Sequence, residues 1–247
     1  VGHQPDLVWL KERSSAGAGL LFDAVRTATK FVRSSDNPAE VTAADTLTAF
    51  NSDGFTLGAD AGNYAANQNS ETYASWNWKA GTTGSGTSTG SGTGKAYSYS
   101  VNTTAGFSIV KYAGNGSAGH TIPHHLGAVS KMIIIKDLSD NESWRVYHGA
   151  NTTSPQTDYL VLNDATATAD DNTVWNDVAP TSSVFTLGTG NPVNNSTHNY
   201  IAYCFAEKTG YSKFGSYVGN GNADGTFVYT GFKPAFVMVK GYAGTDD

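Results

Sequence analysis

Charge is what this sequence has least of. Only 15% of its 247 residues are Asp, Glu, Lys or Arg, against roughly a quarter in an average globular chain. The 15 basic residues are scattered and the net charge is −6, so the basic stripe that follows a nucleic-acid backbone is missing. DNA, RNA and anionic lipid are poor partners for such a chain. There is one cysteine, Cys204, inside the apolar run Tyr200-Ile-Ala-Tyr-Cys-Phe205. A single thiol closes no internal disulfide, and in that run it is expected as a small buried hydrophobe. No apolar stretch reaches the ~18 residues of a membrane-spanning helix. No leader pattern opens the sequence, which says nothing about secretion of a parent chain if the sequence begins inside a repeat. Catalytic signatures are missing as well. There is no phosphate-cradling P-loop and no Cys–His pair beside a nucleophile motif. Nothing nominates the opposed carboxylates of a glycosidase.

What fills the space is Gly, Ser, Thr and Asn, with 28 glycines and 12% aromatic residues. This mixture suits short strands joined by polar turns. The strongest signal is self-similarity, which has to be found before any local reading. Tyr112-Ala-Gly-Asn-Gly116 returns as Tyr217-Val-Gly-Asn-Gly221, and Met132-Ile-Ile-Ile-Lys136 as Phe236-Val-Met-Val-Lys240. The offset from Met132 to Phe236 is 104 residues. Pro5-Asp-Leu-Val-Trp-Leu-Lys11 fills the same place near the start, and Phe-Thr-Leu-Gly is identical at 55–58 and 185–188. The chain reads as a cut from a tandem array.

Within each repeat the pattern is that of strands. Ala16–Arg33 is the best helix candidate, but Gly17 and Gly19 interrupt it. Its counterparts, 144–148 and 158–162, look like strands, so Leu21–Val25 and Lys30–Ser34 are expected as strands too. Tyr73-Ala-Ser-Trp-Asn-Trp78 and Tyr200–Phe205 are the most aromatic strands, with Trp76 and Trp78 on one face at a period of two and expected in the core. Short strands with turn signals every 8–12 residues or so indicate an all-β fold. The expectation is tandem β-sandwich domains of jelly-roll, concanavalin- or lectin-like type. Residues 1–80 form a first repeat lacking its opening hairpin. Residues 81–106 are a linker and lead-in strand, because 81–94 contain only Gly, Thr and Ser. Residues 107–211 form the second repeat and 212–247 start a third.

Gly114-Asn-Gly-Ser-Ala-Gly119 fits the dinucleotide fingerprint in spacing alone. The fingerprint must open a helix, and His120-Thr-Ile-Pro123 cannot. Asn-Gly between strand-like runs instead suggests a tight hairpin. His120, His124 and His125 have no zinc spacing and are expected on a surface turn. Asp164, Asp170 and Asp171 lie in a stretch without Lys or Arg; calcium is the one ion such acidic loops would suit, and no other cofactor is expected. Tyr64, Tyr97 and Tyr99 are the loop aromatics best placed to stack on a ligand.

The runs AGFSIVKYAGNGSAGHTIPHHLGAVSKMIIIKD, WNDVAPTSSVFTLG and NYIAYCFAEKTGYSKFGSYVGNG resemble a repeated domain of virion proteins of tailed bacteriophages. The first repeat, PDLVWLKERS through YASWNWKAG, is similar to it. The resemblance implies concanavalin-like jelly rolls acting as tail-fibre or tail-associated spacers and receptor-contacting modules. A non-enzymatic virion protein is then expected. It would self-associate, with a trimer as one symmetry, and bind other virion proteins and a bacterial surface polysaccharide, but neither nucleic acid nor the membrane interior. The alternative is a carbohydrate-binding module of a secreted glycan-active enzyme.

Overall fold

Alternate residues of the apolar strands go to different cores. The computed structural model describes residues 1–243. In Leu7–Glu12 (β1), Leu7 and Trp9 face one hydrophobic cluster while Val8 and Leu10 face another. In Ser130–Asp137 (β13), Met132 and Ile134 face the cluster shared with Leu7, and Ile133 and Ile135 point the opposite way. A strand that is apolar on both faces belongs to a sheet covered on both sides. These two strands are inner strands of two such sheets.

The first repeat supplies β1, Gly19–Asp23 (β2), Lys30–Arg33 (β3), Val41–Thr42 (β4), Leu47–Asn51 (β5), Gly54–Leu57 (β6) and Tyr73–Trp78 (β7). Next come Thr82–Thr87 (β8), Thr89–Gly90 (β9), Ala96–Asn102 (β10), Phe107–Ala113 (β11) and His120–Pro123 (β12). After β13 follow Arg145–His148 (β14), Asp158–Val161 (β15), Ala169–Asp170 (β16), Val184–Leu187 (β17) and Asn199–Ala206 (β18). Two one-turn helices, Asn172–Trp175 (α1) and Asn191–Asn194 (α2), complete the described elements. The fold is mostly β, in several antiparallel sheets with no barrel.

The repeat is visible in the strand order. One sheet runs β4-β3-β2-β1-β7, and the larger runs β16-β15-β14-β13-β18 before continuing through β11, β10 and β8. Register repeats with order: Leu7 pairs with Trp78 and Trp9 with Trp76, as Met132 pairs with Phe205 and Ile134 with Tyr203. A buried or half-buried lysine recurs too. Lys11 Nζ donates to the carbonyls of Glu12 and Gly17, and Lys136 Nζ to those of Asp137 and Asp140.

The two sheets share a core. Leu7, Leu21 and Val32 pack with Ile109, Ile134, Trp144, Ile201 and Tyr203 in one cluster. Polar bonds cross the same boundary. Trp144 Nε1 donates to the Arg33 carbonyl at 2.7 Å, and Tyr203 donates to Asp23 Oδ2 at 2.8 Å. Asp23 also holds the fully buried Arg26 through Nε at 2.5 Å. The outer face of the first sheet is closed by β5, β6 and Tyr64, and that of the second by β12, β17, Trp175 and Val193.

Three expectations are corrected. The Gly/Ser/Thr segment is not a free linker: Thr82–Thr87 pairs along its length with β10, from Thr82↔Val101 to Thr87↔Ala96. Its glycines leave room for tyrosine rings, so it is ordered by aromatic cover instead of by its own apolar area. The Asn115-Gly116 segment is not a hairpin, because β11 pairs with β10 and β18 while β12 pairs with β17 and β9. Gly116 alone of the two has positive φ, at 73°, whereas the tight hairpin turn requires it of both. The chain crosses there between layers, held where Asn115 N–H donates to Asn194 Oδ1. Finally, the third-repeat sequence forms no strand among the described residues 212–243 beyond the single bridge of Ser212 to Lys208; residues 244–247 lie outside the described ones.

Candidate functional site

Strand β10 places Tyr97 and Tyr99 on one face, two residues apart. Opposite them, β8 offers Gly86 and Gly84, their register partners. A Cβ on Gly84 would fall 2.5 Å from the Tyr99 hydroxyl, and one on Gly86 2.8 Å from that of Tyr97. The two rings therefore lie flat across a strip of bare backbone, their centroids 6.2 Å apart and their planes 29° apart. Aromatic cover of glycines is a known way of ordering a glycine-bearing edge.

The third ring is His125. It stacks on Tyr99 with centroids 3.8 Å apart and planes 15° apart, and its Nε2 lies 3.1 Å from the Tyr97 hydroxyl. The backbone that brings it there is left-handed, with φ 60°. That conformation is unfavourable for a residue bearing a Cβ and recurs where a side chain is held for a purpose. Burial pushes the His125 imidazole below its ordinary 6.5 and the Tyr97 phenol above 10. The shelf is uncharged near neutral pH.

Beside these rings opens a shallow cleft of about 550 Å³ lined by Tyr97, His125, Thr87, Thr89, Ser182 and Ser183, among others. Thr87 and Thr89 both line it, and the Thr89 hydroxyl lies 2.8 Å from that of Thr121. An apolar ring face bordered by hydroxyls can hold a ligand that has both a C–H face and hydroxyls. It offers no charge to fix an ion.

The candidates from sequence are distributed as follows. Tyr97 lines the cleft, and Tyr99 backs His125. Tyr64 is elsewhere: it packs edge-on against Phe31, 5.2 Å between centroids, and closes the outer core of the first sheet. The three aspartates have separate local roles. Asp164 accepts from Thr166 N–H and Asp171 caps α1 by accepting from Thr173 N–H, while Asp170 lies in β16 across from Asp158. Among the described residues no group of three or more His, Cys, Asp or Glu side chains converges on an ion position. The histidines are not a surface turn. His120 and His124 are fully buried. His124 Nδ1 accepts from Leu126 N–H and its Nε2 faces the Thr181 carbonyl at 3.2 Å, which fixes the neutral tautomer with hydrogen on Nε2. Sequence reasoning missed His125 as a shelf residue; the alternation Gly84-Ser-Gly86 opposite Tyr97-Ser-Tyr99 was the available signal.

A second constellation merits a chemical test. Ser88 Oγ lies 2.6 Å from His120 Nε2, and His120 Nδ1 lies 2.9 Å from Asn194 Oδ1. These are the spacings of a nucleophile, a base and an orienting group. Access decides against chemistry. Ser88 is 3% exposed and His120 and Asn194 are fully buried. Ser88 Oγ also accepts from Lys95 N–H, and Asn194 Nδ2 donates to the Ser117 and Gly188 carbonyls. Every member is occupied in tying β9, β12 and the 114–119 crossing together, and no substrate reaches the hydroxyl. Cys204 is likewise fully buried, and burial raises its thiol well above the usual range. No helix of the described residues is long and apolar enough to cross a membrane.

A family model described as a domain of unknown function, DUF7483, matches residues 1–247, and the chain belongs to that family. No curated protein and no solved structure matches it.

Proposed function

We propose that this DUF7483 chain is a non-enzymatic structural and adhesion module of a bacteriophage virion that contacts a neutral surface glycan through the Tyr97–His125 shelf. The observation that carries the glycan contact is the shelf itself. A sugar ring presents a C–H face that packs on an aromatic plane and equatorial hydroxyls that need partners. Tyr97 and His125 supply the plane, and Thr87, Thr89, Ser182 and Ser183 supply the rim. The shelf residues are neutral, which favours uncharged hexoses over phosphorylated or carboxylated ones.

In this reading the fold is built of tandem jelly-roll sandwiches of concanavalin type. The shared strand order β4-β3-β2-β1-β7 and β16-β15-β14-β13-β18 supports a duplicated unit. The virion setting and the homo-oligomeric partners rest on the sequence resemblance to tailed-phage structural domains. The module could equally serve a secreted glycan-active enzyme as its binding domain, since the same shelf would do that work.

The test is a glycan array with the 247-residue chain beside Tyr97→Ala. A neutral glycan retained by the first and lost by the second supports the reading. Binding that survives Tyr97→Ala, or no binding to any neutral glycan, ends it. Mass spectrometry of purified particles from the source phage decides the virion setting.

A further inference from the structure

His124 is fully buried and grips the chain on both sides of the cleft beside the shelf. On one side lies the turn 181–184, which supplies Ser182, Ser183 and Val184 to the cleft wall. His124 holds that turn twice. Its main-chain N–H donates to the Ser183 carbonyl at 3.1 Å, and Nε2–H donates to the Thr181 carbonyl at 3.2 Å. The turn is otherwise tied to itself, the Ser183 and Val184 N–H groups both donating to Thr181 Oγ1. On the other side lie His125 and Gly127, which also line the cleft. Between them the Leu126 N–H donates to His124 Nδ1 at 3.2 Å. That bond closes over His125 and pins one flank of a residue whose φ is 60°.

We infer that His124 is an acid-sensitive latch: its neutral imidazole holds the two walls of the Tyr97–His125 cleft in place, and its protonation releases them together with any bound ligand. An imidazolium has two N–H donors and no acceptor. The Leu126 N–H would then meet another N–H, and the new charge would face no carboxylate from either segment. The turn 181–184 carries hydroxyls and one apolar side chain. In the segment of His124 itself the titratable neighbour is His125, whose own protonation adds a like charge. Tyr97 reaches the ring only through His125, and His120, further along β12, faces Lys95. Burial holds the His124 imidazole below its ordinary 6.5, with the Thr181 carbonyl opposing in part.

Released into water, the ring titrates near 6.5; latched, it refuses the proton until the pH is lower. Between those values each unit of falling pH shifts the balance toward the open loop by up to about tenfold per proton. His125 rides on the same loop and is also held below 6.5 by burial, so opening frees a second site for protonation. β12 itself is paired with β17 and β9. The expected event is therefore local release of 124–127, not loss of the layer. That opening costs ligand affinity rests on the glycan reading of the shelf; the latch does not.

The test needs no ligand. Hydrogen exchange of the whole native chain is followed at the Leu126 amide from pH 7.5 to 5 and corrected for the intrinsic rate. Protection should fall below pH 6.5, approaching about tenfold per unit, while Ile133 in the underlying sheet keeps its own. His124→Asn offers the Leu126 N–H an oxygen that does not titrate, and should flatten most of that dependence; His125→Asn should leave most of it. Leu126 protection that stays level down to pH 5 overturns the latch, whether or not the variant folds. So does a fall that His124→Asn leaves untouched, or one that Ile133 shares, which is acid unfolding. A glycan from the array should bind more weakly over the same interval to the native chain and not to His124→Asn; affinity that ignores pH overturns the release of ligand. Exchange that shows the latch beside an array without a hit sinks the glycan reading and leaves the latch standing.

Discussion

Gly84 lies across the sheet from Tyr99, and a Cβ there would come within 2.5 Å of the tyrosine hydroxyl. The absence of one side chain thus sets the tilt of another. Tyr99 in turn carries His125 on its face at 3.8 Å. The position of the shelf histidine is therefore decided two strands away, by a residue with no side chain.

Gly84→Thr should tip Tyr99 off the β8 backbone and unseat His125. The imidazole proton resonances then lose their ring-current shift from Tyr99, which NMR reads with no ligand present. Ligand binding at the shelf should fall by about tenfold, the scale of one lost aromatic pair. Tyr99 packs on the core and stacks with His125, so losing that pair should also lower stability, by about 0.5–1.5 kcal/mol. An unshifted His125 spectrum in the variant would show that the glycine is not what seats the ring.

The strands were legible because their signals are local. Leu7–Leu10 and Met132–Ile135 are apolar on both sides, and this required sheets covered on both faces. The repeat foretold that β2 and β3 would be strands where Ala16–Arg33 resembled a helix, and they are. What escaped is non-local. Gly84 and Gly86 look like linker residues until Tyr97 and Tyr99 are placed opposite them. The burial of His120 depends on Asn194, 74 positions away. Tyr64 carries no mark in sequence that separates a core-closing ring from a ligand-stacking one; Phe31 beneath it makes the difference.

The shared core between the two large sheets predicts one cooperative transition instead of two. Leu21 of the first repeat packs in the same cluster as Ile134 and Tyr203 of the second. Leu21→Ala should cost about 2–5 kcal/mol and lower the midpoint reported by both halves equally. Tyr203→Phe leaves a lone pair of buried Asp23 without its donor and should cost about 1–3 kcal/mol. Hydrogen exchange resolved by segment checks this: amides of β2 and β14 should lose protection together. Loss confined to β2 would mean that the repeats fold separately.

Lys136 predicts an alkaline rise in stability. The side chain is fully buried, and burial pulls its ammonium down to about 8, with Asp137 opposing. Between pH 8 and the ordinary lysine value of 10.5, the unfolded chain holds a proton that the folded chain has released. Stability therefore rises with pH in that interval, with a slope of at most about 1.4 kcal/mol per pH unit for one proton. Below pH 8 both states are protonated and this group contributes no slope. The rise is cut short from above. Cys204 is raised from 9, and Tyr112, Tyr200 and Tyr203 are raised from 10, all chiefly by burial. Those groups keep protons in the fold that the unfolded chain gives up, so stability falls as pH climbs past 9. Urea titrations at pH 7, 8, 9 and 10 should then show a maximum near pH 9, about 1 kcal/mol above pH 8. In Lys136→Met the segment between pH 8 and 9 should be flat while the fall above it remains. A rise that persists in that variant would assign the released proton to another group.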